Sequence, residues 1–213
     1  MEQRSNSIYF SLFLTVSGLL LASFGYSQMK TPVTDYIGIP GPIMFNNEQY
    51  DLVWSTQTKK YYFKQEYIRK VDKLETFNKL FIVDLLIGDN NLKQLVSSKI
   101  AELDRLKQTN PVVNYQIFEK DDEIMLDFLL SQNSADGKQI KIIERNVYRY
   151  KQIMFEDNKK GVLLFAFSSR GYENKIEDFL NALKKNRSDA LNHLGAFEIS
   201  GIKIINNDWH LSK

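Results

Sequence analysis

Side chains able to do covalent chemistry are few in this chain. Its 213 residues include no cysteine and two histidines, His193 and His210. Thiolate nucleophiles, thiolate metal sites and disulfides are therefore excluded. No G-x-S-x-G elbow occurs, and the two histidines are too far apart to ligate one metal from a single helical turn. His193 lies near an expected helix end, where an imidazole interacts well with the last carbonyls. Glu119, Asp121, Asp122 and Glu123 offer oxygen ligands for a hard cation. At a hairpin tip the same residues serve turn geometry and solubility, and this simpler role is expected of them. Ser169-Arg170-Gly171-Tyr172 gives an anion one guanidinium and one glycine, too little for a phosphate cradle. The expectation is a protein that is not an enzyme, with no catalytic residue, metal or cofactor.

Two constellations suit binding. Residues 145–151 read Arg-Asn-Val-Tyr-Arg-Tyr-Lys. At strand spacing Arg145, Arg149 and Lys151 share one face, with Tyr148 and Tyr150 on the other. Interleaved Arg and Tyr suit single-stranded nucleic acid or anionic glycan. The pleat separates the two sets, however, and no nucleic-acid partner is expected. Tyr148 and Tyr150 are expected to pack beneath a helix. Arg145, Arg149 and Lys151 would then form a contact surface for an envelope or secreted protein. Trp54, Tyr61, Tyr62 and Tyr67 make the second group, on an expected hairpin. As a groove they would carry a small lipid or glycan, the alternative function.

The elements that must position these residues follow from periodicity. Residues 50–54 and 61–68 alternate as strands about a five-residue polar spacer, a hairpin pattern. Residues 75–79 suggest one helical turn, and 80–83 open a buried strand that ends at Gly88-Asp89. Residues 91–108 form a helix: Leu92, Leu95, Val96, Ile100, Leu103 and Leu106 share a stripe, Asn91 caps it and Pro111 closes it. Glu102 with Arg105, and Asp104 with Lys107, fall on its wet side. Strands follow at 112–120, 124–131, 140–154 and 162–168. From Glu173 a second long helix carries Ile176, Phe179, Leu180 and Leu183, then Ala190, Leu191 and Leu194 in phase. Ser188-Asp189 offers a break in it and Gly195 a stop. Local strand connections with two long amphipathic helices specify α+β, an antiparallel sheet flanked by both helices.

Charge divides evenly, with 28 basic and 26 acidic residues and a net +2. This leaves no basic surface for polyphosphate partners. Residues 1–27 look like a secretory signal: a weakly basic start, an apolar stretch from Ile8 to Leu21, and small residues Gly25 and Ser27 before the cut. The apolar stretch would reach only about 21 Å as a helix, short of a ~30 Å hydrocarbon core. No later stretch is long enough to span, so no transmembrane segment is expected after cleavage. Residues 28–47 hold three of the four prolines and read as an extended lead-in. Residues 48–213 form a single α+β domain, periplasmic or secreted.

The segment YYFKQEYIRKVDKLETFNKLFIVDLL, residues 61–86, resembles the PsbP-like fold. That fold is shared by an extrinsic photosystem subunit, a Ran-binding nuclear protein and many bacterial secreted domains. Glu66-Tyr67, Glu75-Thr76-Phe77 and the strand from Leu80 carry the likeness. The whole chain also resembles an uncharacterised family of exported proteins from Bacteroidota-type bacteria. The resemblance implies a PsbP-like sandwich and a non-catalytic module that binds another macromolecule. Together these readings give an exported, non-enzymatic binding module of the cell envelope. Intact-mass analysis of the exported protein should find Gln28 as the first residue; a chain retaining Met1 or Glu2 would contradict the signal reading.

Overall fold

The structure is a computed structural model and describes residues 33–155, 158–199 and 201–205. The signal segment and His210 lie outside the described residues. Eight strands form one antiparallel sheet: β1 (Ile43–Phe45), β2 (Glu48–Lys59), β3 (Tyr62–Ile68), β4 (Lys79–Ile87), β5 (Asn114–Lys120), β6 (Glu123–Asn133), β7 (Ile140–Met154) and β8 (Lys160–Tyr172). Their order is β1-β2-β3-β4-β8-β7-β6-β5. Two four-stranded meanders therefore meet where β4 pairs with β8, from Lys79↔Ser169 to Ile87↔Gly161. These central strands are covered on both faces, which is why they read as unbroken apolar runs.

Helix α1 (Leu92–Lys107) carries the chain from central β4 to edge β5, crossing the front of β5, β6 and β7. Asn91 caps it as expected, accepting from the Gln94 amide at 3.1 Å. Leu95, Val96 and Leu103 enter the front core with Phe128, Tyr148 and Tyr150. The back core holds Phe81, Phe165 and Phe167 against Ile37, Phe45 and Leu194. The lead-in is thus part of the core, with Ile37, Ile39, Ile43 and Phe45 all buried. Tyr67 and Gln65 fasten it by donating to the Ile39 carbonyl, at 2.7 and 3.1 Å.

The expectation of a sheet flanked by two long helices, and of the PsbP-like sandwich built on it, is corrected. Among the described residues strand dominates, with three short α-helices. The long second helix is replaced by a 3-10 turn (Glu173–Lys175), α2 (Ile176–Lys185) and α3 (Arg187–Gly195). The break falls at Asn186, whose φ −125 and ψ 31 leave helical space. The break thus comes two residues before Ser188, and the carbonyl of Arg187, the first residue of α3, accepts from Arg145 at 2.6 Å. Both short helices lie on the back of the sheet, and α2 has no buried residue. The first hairpin also differs in its turn. β2 and β3 pair out to Lys59↔Tyr62, because irregularities in the register absorb the polar spacer into the strand.

Docking of α2 depends on a glycine. A Cβ on Gly171 would stand 2.7 Å from the Phe179 Cβ. Gly171→Ala should therefore lower stability by about 1–3 kcal/mol in denaturant unfolding. Combined with Phe179→Ala it should cost less than the sum of the two; strict additivity would show that the close approach carries no constraint.

Candidate functional site

Strand β7 splits as its sequence requires. Tyr148 and Tyr150 face the front core beneath α1, and Arg145, Arg149 and Lys151 point to the back. The basic set is covered there. Arg145 Nε and Nη2 donate to Asp127 Oδ1 and Oδ2 at 2.9 and 3.1 Å, and Arg187 reaches the same carboxylate at 3.3 Å. The Arg149 side chain is 3% exposed. It donates to both Glu123 oxygens at 2.7 and 2.9 Å and to Glu198 at 3.0 Å. It also holds the carbonyls of Leu194, at 3.1 Å, and Phe197. Lys151, half-buried, bonds the same two glutamates at 3.2 Å. Arg145 and Arg149 therefore fasten α3 and the residues that follow it, Phe197 and Glu198, to the sheet. Sequence parity located their face correctly, but nothing in a strand pattern shows what later crosses it.

The aromatic hairpin residues separate. Tyr67 is buried at the back and Tyr62 at the front, so they share no groove. Tyr61 lines an open cleft of about 430 Å³ with Ile87, Gly88, Asp89, Asn158, Lys159 and Lys160. Trp54 stands on the front, 39% exposed and paired with Glu66 across the strands. The Lys64 ammonium lies 5.9 Å from its ring and 2.7 Å from Glu66.

This rim borders a layer of buried charge on the front face. Asp84 is completely buried; its Oδ2 accepts from Tyr62 at 2.8 Å, and its Oδ1 has no hydrogen-bond partner among the described residues. Burial pushes its carboxyl up to about 6, against the pull of Lys64 and Tyr62. Lys64 is disfavoured by burial, yet Asp84 and Glu66 outweigh this and raise it above its ordinary range. Further along, Arg170 pairs with Glu144 and stacks 3.9 Å from the Phe77 ring centre. Residues 169–172, set aside above as a phosphate cradle, continue β8 with the Arg170 guanidinium engaged. Helix α1 adds Lys99, 2% exposed, bonded to Glu102 at 3.0 Å. Placing Glu102 on the wet side is corrected, since it turns inward to neutralise Lys99. Asp84 was missed because it sits within an apolar run that predicts only burial, and Lys99 because it falls on the apolar stripe of α1 between Val96 and Leu103.

The remaining sequence candidates are occupied locally. Within the acidic hairpin, Glu123 serves Arg149 and Lys151, and Glu119 lies 3.7 Å from Lys93. Among the described residues no group of three His, Asp or Glu is placed to hold a metal ion. His193 is exposed, with Nδ1 2.7 Å from the Asp189 carbonyl oxygen.

The model of an uncharacterised protein family matches residues 37–199. The chain belongs to that family. Its span opens at buried Ile37 and closes beyond Glu198, so it contains every partner of Arg149 named above. No curated protein matches the chain. Among the described residues no helix is long and apolar enough to cross a membrane.

Two opposed pH effects follow. Hydrogen bonds from Arg149 lower Glu123 and Glu198, so their contribution is present above the ordinary carboxyl range and lost as pH falls below about 4. Asp84 has the reverse sign. Its raised carboxyl binds a proton in the folded state first, so stability falls as pH rises from about 4 to 6. Asp84→Asn should therefore raise the melting temperature at pH 7 and flatten that decline. A lower melting temperature at pH 7 would show that the ionised carboxylate is a net stabiliser.

Proposed function

We propose that the protein is exported to the cell envelope, periplasmic or secreted, and acts there as a non-enzymatic binding module. Its recognition surface is the Trp54 rim of the front-face charged layer. The observation that carries this reading is an exposed indole beside a neutralised Lys64–Glu66 pair. A flat apolar face flanked by one cation and one carboxylate can stack on a sugar ring and exchange hydrogen bonds with its hydroxyls. A glycan is therefore the ligand class favoured. A protein partner on Arg145, Arg149 and Lys151 is not carried forward, because the two arginines lie beneath α3 and the C-terminal segment. Export, and membership of a Bacteroidota-type exported group, rest on the residues of the signal-like segment and on resemblance.

A second reading is favoured by the cleft at Tyr61. Its floor includes Tyr61 and Ile87 and its rim Lys159 and Lys160, a combination suited to a lipid with an anionic head.

Fluorescence separates the two. Trp54 and Trp209 are the two tryptophans, so a Trp209→Phe chain reports on Trp54 alone. Oligosaccharides released from envelope glycan should shift its emission saturably, and Glu66→Ala should abolish the shift. A saturable response to envelope lipid that Tyr61→Ala removes would favour the cleft. No response to either at millimolar concentration would overturn the binding reading.

A further inference from the structure

The sheet ends differently at its two edges. On one side lies β1, only three residues long. On the other lies β5, seven residues that pair with β6 without a register shift and, among the described residues, have no strand on the outer side. A regular edge of that length presents a row of backbone donors and acceptors to solvent. β5 has no proline to interrupt it, and it exposes one large apolar side chain on each face. Ile117 is 41% exposed and, opposite Leu126, faces the front; Phe118 is 43% exposed and, opposite Met125, faces the back.

Charge is arranged along this edge with a polarity. The Lys120 end turns into Asp121 and Asp122, both exposed. The Asn114 end is fed by the last turn of α1, where Arg105 and Lys107 are exposed. The helix runs antiparallel to the strand. Lys93 lies 3.7 Å from Glu119, and Asp104 accepts from Tyr115 at 2.9 Å. One edge thus carries an acidic turn at one end and a basic helix terminus at the other.

We propose that β5 pairs antiparallel with β5 of a second copy of this chain, about a two-fold axis through Ile117. In that register Tyr115 faces Glu119 of the second copy, Gln116 faces Phe118, and the two Ile117 side chains meet at the axis. The rotation brings the acidic turn of each copy to the basic α1 terminus of the other, and Lys93 toward Asp104. A parallel pairing would set like ends together. The antiparallel dimer also covers the exposed edge and joins the two sheets into one, a closed isologous assembly.

Sedimentation equilibrium on the chain as processed and purified from its producing cells tests this. A dimer is expected at tens of micromolar, weakening with salt. Ile117→Lys, which sets two ammonium groups at the axis, should give a monomer with an unchanged melting temperature. Asp121→Lys with Asp122→Lys should raise the dissociation constant about tenfold. Adding Arg105→Glu and Lys107→Glu should restore it; all four residues are exposed, so this arm stands even if Ile117→Lys unfolds. A monomer at about 100 µM, a dimer indifferent to every variant, or an edge occupied by a different protein would overturn the proposal.

Discussion

A buried guanidinium cannot be left without partners, and Arg149 is the group whose satisfaction ties most of this molecule together. Removing one side of such a buried ionic arrangement costs about 3–5 kcal/mol, comparable to the net stability of a small domain. Glu123 on β6, Glu198 beyond α3 and the carbonyls of Leu194 and Phe197 all converge on it. With those contacts made, Phe197 is carried onto the back of the sheet. Its ring centre lies 5.0 Å from Phe81, 5.3 Å from Phe165 and 5.8 Å from Phe45. The following residues then meet the lead-in, as Lys203 and Ile205 donate to the carbonyls of Ile37 and Tyr36 at 3.1 and 3.0 Å. One strand residue thereby closes the back core with segments from both ends of the described chain.

The other buried ionic groups repeat this logic on smaller scales. Glu48 holds Arg69 and Lys79 and fixes the start of β2 to the chain between β3 and β4. Arg145 holds Asp127 and the Arg187 carbonyl, and so ties the start of α3 to the sheet. Glu144 holds Arg170 on the front of β7 and β8. Asp84 is the exception: it pairs with Tyr62 through one oxygen and leaves the other without a partner. Buried polar atoms are normally hydrogen-bonded, so this unpaired oxygen sets Asp84 apart from the ion pairs of the back face.

Local pattern made much of the sheet legible. β7 was found to the residue, because no glycine or proline interrupts the run from Ile140 to Met154. The stripe and cap of α1 were also readable, as was the opposition of Tyr148 and Tyr150 to the arginines. What failed has a common physical origin. The second helix, the lead-in and the wet side of α1 were each judged by their own periodicity, whereas tertiary partners decide them. Asn186 breaks a helical pattern just before the residue whose carbonyl Arg145 holds, and the proline-bearing lead-in is fastened by Tyr67 and Gln65. Lys99 turns inward because Glu102 neutralises it. For the candidate site, sequence picked Trp54 but grouped it with Tyr62 and Tyr67, which a bulged strand pairing and the pleat place elsewhere.

Native-state hydrogen exchange of an Arg149→Met variant tests the central role of that residue most directly. Loss of the guanidinium should speed exchange at the amides of Phe197, Lys203 and Ile205 together, with the paired amides of β4 and β8 keeping their protection. Unchanged protection at Lys203 and Ile205 would show that the C-terminal segment is held without Arg149, and would contradict the account.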